Sequence, residues 1–92
     1  MWQIRVSKQA KKQLKRYAKT PDCVHFDKAI RELERAPDPT TLGQFKVLKE
    51  LSYRCFAYDV TRSLHLLYSV DRQNNLILIL DLGDHKETYG WD

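Results

Sequence analysis

The run Leu76-Ile-Leu-Ile-Leu-Asp-Leu82 constrains the fold of this chain more than any other segment. It is apolar at odd and even positions alike, over a length typical of a strand. A strand with two apolar faces belongs inside a sheet, with a partner on either side and cover above and below. Two further strand patterns precede it: Arg54-Cys-Phe-Ala-Tyr-Asp59 and Leu64-His-Leu-Leu-Tyr-Ser-Val70. Thr61-Arg62 separates the first pair. Asp71-Arg-Gln-Asn-Asn75 separates the second, and its asparagines tolerate left-handed backbone geometry. Three strands joined by short turns predict an antiparallel meander.

The first half of the chain has a different period. Trp2, Ile4 and Val6 alternate with polar residues and predict a first strand. Ser7 is placed to cap a helix whose apolar stripe is Ala10, Leu14 and Tyr17. A second helix is expected with Thr20 as its cap, Pro21 at its first position and Asp22 in its first turn. Phe26, Ala29, Ile30 and Leu33 form its buried stripe, and Pro37 and Pro39 end it. Residues 38–51 read only as a connection. The prediction is an α+β fold of order β-α-α-β-β-β. A helical hairpin packs on one face of the meander, and the first strand is added beside the apolar strand from Leu76.

Ninety-two residues make a single domain over 1–92, with a hydrophobic fraction of 42 % that suits a folded globule. The N-terminus lacks the apolar run of a signal peptide, and no segment approaches the ~20 apolar residues of a membrane span. The expected location is therefore the cytoplasm, with no membrane partner. Cys23 and Cys55 have no metal-ligand spacing and are expected to be reduced and packed. Net charge is +4, and its distribution is uneven. Arg5, Lys8, Lys11, Lys12, Lys15, Arg16 and Lys19 are not accompanied by any acidic residue before Asp22. A field of one sign attracts polyanions, although a solvated lysine-rich helix would have the same composition.

The meander sets which side chains share a face. An even-numbered loop at residues 61–62 or 60–63 would set Tyr58 opposite His65 and Phe56 opposite Leu67. Arg54, Phe56, Tyr58, His65 and Leu67 would then lie together on the face away from the helices. Cys55, Ala57, Leu64, Leu66, Tyr68 and Val70 would face the helices. A histidine within a strand is commonly a packing residue, but Arg54, Tyr58 and Arg62 as neighbours favour a functional reading. A second polar cluster, Gly83-Asp-His-Lys-Glu-Thr-Tyr-Gly90, follows the apolar strand. Asp59, Asp71, Asp81 and Asp84 are scattered and do not compose a divalent-cation site, so neither metal nor cofactor is expected.

In this order the motifs resemble the RelE/ParE superfamily of bacterial toxins, over nearly the whole chain. Leu48-Lys-Glu-Leu51 leads into the meander where that family often has a leucine, a basic residue and a glycine. Leu64-His-Leu-Leu-Tyr68 resembles its "YRLVY"-like strand. Gly83-Asp-His-Lys-Glu-Thr-Tyr89 resembles its "GHRxxxY"-like ending, and His85 followed by Tyr89 is similar to the YafQ-like nuclease branch.

The resemblance implies a toxin of a type II toxin–antitoxin system, a metal-independent endoribonuclease acting on mRNA at the ribosome. Its partner would be an acidic, partly disordered antitoxin covering the basic first helix and the exposed sheet face. By position, His85 matches the general acid or phosphate stabiliser, and Tyr89 the aromatic that orients the nucleotide. His65 stands where the family strand has a phosphate-contacting arginine. Phe56 and Tyr58 stand where the founding member has two lysines, a departure that removes catalytic cations. Arg62 and Arg54 are expected to replace that charge, with Lys46, Lys49 and Lys86 as further RNA contacts and Tyr58 as a stacking platform. The alternatives are a ParE-like DNA gyrase inhibitor with no nuclease chemistry, or a homologue that has lost activity.

Overall fold

The computed structural model describes residues 1–46 and 55–84, with the backbone alone for 45 and 46. The order of elements is β1 (Gln3–Val6), α1 (Lys8–Tyr17), α2 (Cys23–Arg35), a 3-10 turn (Pro39–Thr41), β2 (Gln44–Lys46), β3 (Cys55–Asp59), β4 (Leu64–Asp71) and β5 (Leu76–Asp84). The strands form one sheet in the order β1-β5-β4-β3-β2. β1 is parallel to β5, and the other pairs are antiparallel. The predicted α+β order therefore holds, with one strand added. β2 pairs with β3 at the sheet edge, inside the stretch that the sequence pattern left as a connection. Three residues with one apolar side chain are too few to carry a period.

α1 begins where Ser7 caps it: the hydroxyl oxygen accepts from Ala10 N at 3.1 Å, a contact typically worth about 1 kcal/mol. Its last turn carries Lys15 and Arg16, which complement the negative helix end. α2 starts at Cys23, two residues later than the Thr20 cap implied. The Thr20 hydroxyl donates instead to Tyr17 O at 2.7 Å and accepts from Asp22 N at 3.3 Å. Thr20 thus stabilises the turn between the helices. At the other end of α2, Trp2 donates from its backbone to Glu34 O and from its indole to Ala36 O, both at 3.0 Å. Terminal carbonyls of a helix lack partners within it, so these bonds fasten β1 to α2.

Both helices lie on one face of the sheet. Ala10, Phe26 and Leu33 pack there against Leu64, Leu66, Tyr68, Ile77, Ile79 and Leu82, all buried. Each large apolar side chain in this set contributes roughly 1.5–3 kcal/mol on burial. Phe26 also meets Tyr17 at 5.0 Å between ring centroids. On the other face of β5, Leu76, Leu78 and Leu80 are only half-buried, so the apolar strand is interior to the sheet but unequally covered.

β5 contains a bulge. Tyr68 pairs with Ile79, yet Leu67 pairs with Asp81, leaving Leu80 as the extra residue. The bulge follows from the sequence. In an unbroken strand Asp81 would follow Ile77 and Ile79 into the core, where an unpaired carboxylate is costly. The extra residue turns Asp81 away and brings Leu82 inward.

Candidate active site

The β3–β4 turn positions the first functional group. Val60 N and Thr61 N both donate to Leu64 O, at 2.9 and 3.2 Å, and Leu64 N donates to the Thr61 hydroxyl at 3.2 Å. Residues 61–63 therefore close the hairpin as an odd-numbered loop, and Asp59 stands opposite His65. His65 Nδ1 lies 2.8 Å from Asp59 Oδ1. The imidazole side chain is 12 % exposed and the carboxylate 72 %. A carboxylate only accepts hydrogen bonds, so Nδ1 carries the proton in this pair and Nε2 is the basic nitrogen of the neutral ring. Arg62 sits exposed at the tip of the same loop. On its other side His65 is paired with Gly83 of β5.

The odd loop corrects the expected arrangement of β3. Tyr58 pairs with Leu66 and Phe56 with Tyr68, so both aromatics face the helices and not the side of His65. A one-residue change in register inverts every side chain of a strand. Phe56 stacks on Tyr68 at 5.5 Å between centroids. The Tyr58 hydroxyl donates to the Glu32 carboxylate on α2, and burial followed by that carboxylate pushes its pKa up to about 12. Tyr58 is thus held against α2 and is not an open stacking platform on the His65 face. Cys55, Ala57 and Leu67 occupy the His65 side, and all three are buried. That side of β3–β4 is accordingly not the exposed sheet face expected from the sequence.

The expected residues are therefore divided. The structure gathers His65 and Arg62 at one end of the β3–β4 hairpin and adds Asp59, the last residue of β3. Lys46 ends β2 in register with Cys55. Arg54, Lys49, His85, Lys86 and Tyr89 lie outside the described residues. The basic helix is as expected: Lys8, Lys11, Lys12, Lys15, Arg16 and Lys19 are all exposed. It lies on the sheet face opposite His65. A shallow groove of about 300 Å³ runs along it between Gln9, Lys12, Gln13 and Arg16. Among the described residues no three His, Cys, Asp or Glu side chains gather as metal ligands, and no helix is long and apolar enough to cross a membrane.

Neither a family model nor a curated protein sequence matches the chain. Solved structures do. A metal-bound toxin from Helicobacter pylori superposes with a TM-score of 0.72 at 26 % identity, covering 95 % of this chain and 98 % of that one. RelE in the archaeal RelE–RelB complex from Pyrococcus horikoshii OT3 gives 0.66 at 21 %, covering 90 % and 93 %. The E. coli RelBE toxin–antitoxin complex gives 0.67 at 16 %, covering 91 % and 96 %. This is the fold of the RelE/ParE toxin superfamily. A toxin from Agrobacterium tumefaciens described as YoeB/ParE matches at a TM-score of 0.70 and 15 % identity. The RelE/ParE fold thus accommodates nine-tenths or more of this sequence.

Proposed function

We propose that this chain is the toxin of a type II toxin–antitoxin pair and a metal-independent endoribonuclease that cuts mRNA on the ribosome. The observation that carries this reading is the His65–Asp59 pair at 2.8 Å on a sheet of RelE/ParE type. RNA cleavage by its own 2′-OH requires a base for the hydroxyl proton, cations for the charge on the pentacovalent phosphorus, and an acid for the departing 5′-oxygen. His65, with Nδ1 held by Asp59, offers Nε2 to take the 2′-OH proton. The 2′-oxygen attacks phosphorus, the bond to the 5′-oxygen breaks, and that oxygen receives a proton from His85. The products are a 2′,3′-cyclic phosphate and a 5′-hydroxyl. Arg62, Arg54 and Lys86 neutralise the phosphate, and Tyr89 orients the nucleotide. Lys46 and Lys49 extend the path of the RNA backbone. The antitoxin is an acidic, partly disordered chain attracted by the cations of α1.

The test is induced expression in a bacterial host, with mRNA ends mapped by primer extension for the wild type and for His65→Ala with His85→Ala. Growth arrest with new cuts inside translated messages, both abolished in the variant, supports the nuclease. Arrest without cuts, unaffected by the substitutions, overturns it and points to a protein target such as DNA gyrase. The absence of arrest points to a homologue without activity.

A further inference from the structure

Among the described residues, Gln13 is the buried polar side chain of the core, 5 % exposed, and the nuclease reading gives it no part. Its Oε1 accepts from Leu82 N at 2.9 Å, across 69 residues of sequence. Leu82 N is shared with the neighbouring Asp81 Oδ1, also at 2.9 Å. Six residues before Gln13, the capping Ser7 hydroxyl donates to Leu80 O at 2.7 Å. These two side chains of the α1 region therefore hold the bulged residue's own carbonyl and the amide two residues beyond it. A bulge removes strand-to-strand bonds from the ladder, and the freed buried groups need partners.

The bulge decides what stands beside His65. With it, His65 is opposite Gly83. Continuing the pairing of Tyr68 with Ile79 without the extra residue would bring Leu82 opposite His65 and an isobutyl group against the imidazole. The fold instead buries Leu82 among the helices and sets a residue without a side chain next to His65. Gly83 has φ of 144°, a backbone geometry that side chains disfavour.

We infer that Gln13 is a positioning residue for the His65 site: by holding the β5 bulge from α1 it keeps Gly83, and not Leu82, beside the imidazole. This rests on the nuclease reading for its effect on cleavage, but the positioning itself is read without it. The experiment compares wild type, Gln13→Met, Gln13→Glu, Ser7→Ala and the core control Leu33→Val by two-dimensional NMR and by single-turnover cleavage of ribosome-bound mRNA. Gln13→Met removes the acceptor at similar size, whereas Gln13→Glu keeps one.

Expected for Gln13→Met are shifted Gly83 amide and His65 ring resonances. The cleavage rate at saturation falls at least tenfold, while half-saturation is little changed. Gln13→Glu, which keeps an acceptor but sets a carboxyl beside that of Asp81, shifts these resonances less than Gln13→Met, and Leu33→Val leaves both readouts as in the wild type. If Gln13→Met does not fold, Ser7→Ala must shift the same resonances in the same direction. Gly83 and His65 resonances unchanged in Gln13→Met and Ser7→Ala would overturn the inference, as would equal shifts in Leu33→Val. A wild type that cuts no RNA would sink the nuclease reading alone, and the resonances would still decide the positioning role.

Discussion

The phenol of Tyr68 donates to the carbonyl of Pro39 at 2.6 Å, from the middle of a core strand to the 3-10 turn that follows α2. Tyr68 is fully buried, and its ring leaves no room for a side chain at Gly43, where an added Cβ would stand 2.8 Å from the hydroxyl and 2.9 Å from Ala57 O. One hydroxyl thus fixes the route into β2. Tyr68→Phe should lose about 1–3 kcal/mol, because the Pro39 carbonyl keeps its burial and loses its partner. Gly43→Ala should lose roughly 1–3 kcal/mol through overpacking. Urea denaturation of the two variants checks both, with an unchanged slope expected.

The same tyrosine makes stability sensitive to alkali. Burial pushes its pKa up to about 12, and that of Tyr58 is raised to about 12 by burial and by Glu32. In the unfolded chain both phenols ionise near pH 10. The folded state therefore holds these protons more tightly, and their contribution is complete below pH 10 and lost as pH rises to about 12. Thermal unfolding between pH 9 and 12 should show this fall, and Tyr68→Phe should flatten it.

For the His65–Asp59 pair the expected order of damage is specific. His65→Ala should reduce cleavage on the order of 100-fold or more, the range for loss of a general base. Asp59→Asn should cost less, since the amide can still accept from Nδ1 through its oxygen. Single-turnover rates on one mRNA would settle the ranking, and an Asp59→Asn variant slower than His65→Ala would contradict it.

Substituting Lys11, Lys12 and Lys15 of α1 by glutamine should weaken RNA binding with little change in the rate of the bound complex, because this helix lies across the sheet from His65. Each lost phosphate contact should reduce the slope of log K against log salt by about 0.7. Filter binding from 50 to 300 mM salt measures it, and an unchanged slope would exclude these lysines from the RNA path.

Phe26→Ala should cost about 3–5 kcal/mol, since Phe26 is fully buried against Tyr17 and the sheet. In a domain of this size that is a large share of total stability, and calorimetry should show a transition lowered by well over ten degrees.

The legible parts of the fold were those with a strong period. The stripes Ala10-Leu14-Tyr17 and Phe26-Ile30-Leu33 announced both helices, and the inward set of β4 was assigned to the correct face. β3 was inverted because both of its faces are apolar: Cys55 and Ala57 on one, Phe56 and Tyr58 on the other. With Asp59 at the very end of the strand as its one charged residue, the loop length decided, and hydrogen bonding rather than composition makes that loop odd. The bulge did leave a trace, in Asp81 interrupting an otherwise apolar run. The Gln13 bond left none, since a glutamine on a lysine-rich helix looks like a surface residue.

The parallel pairing of Gln3 with Leu76 and of Val6 with Ile79 joins the first and the last of the described strands in sequence. Contacts between residues so far apart in sequence form late and slowly. On a ribosome the first strand and both helices emerge early but have no finished surface to settle on until β5 has been made. The core and the setting of His65 between Asp59 and Gly83 are then completed together, once β5 is in place. A chain interrupted before β5 would be a target for proteases and not an active protein, so the fold itself delays the protein's action until its last described strand has been made.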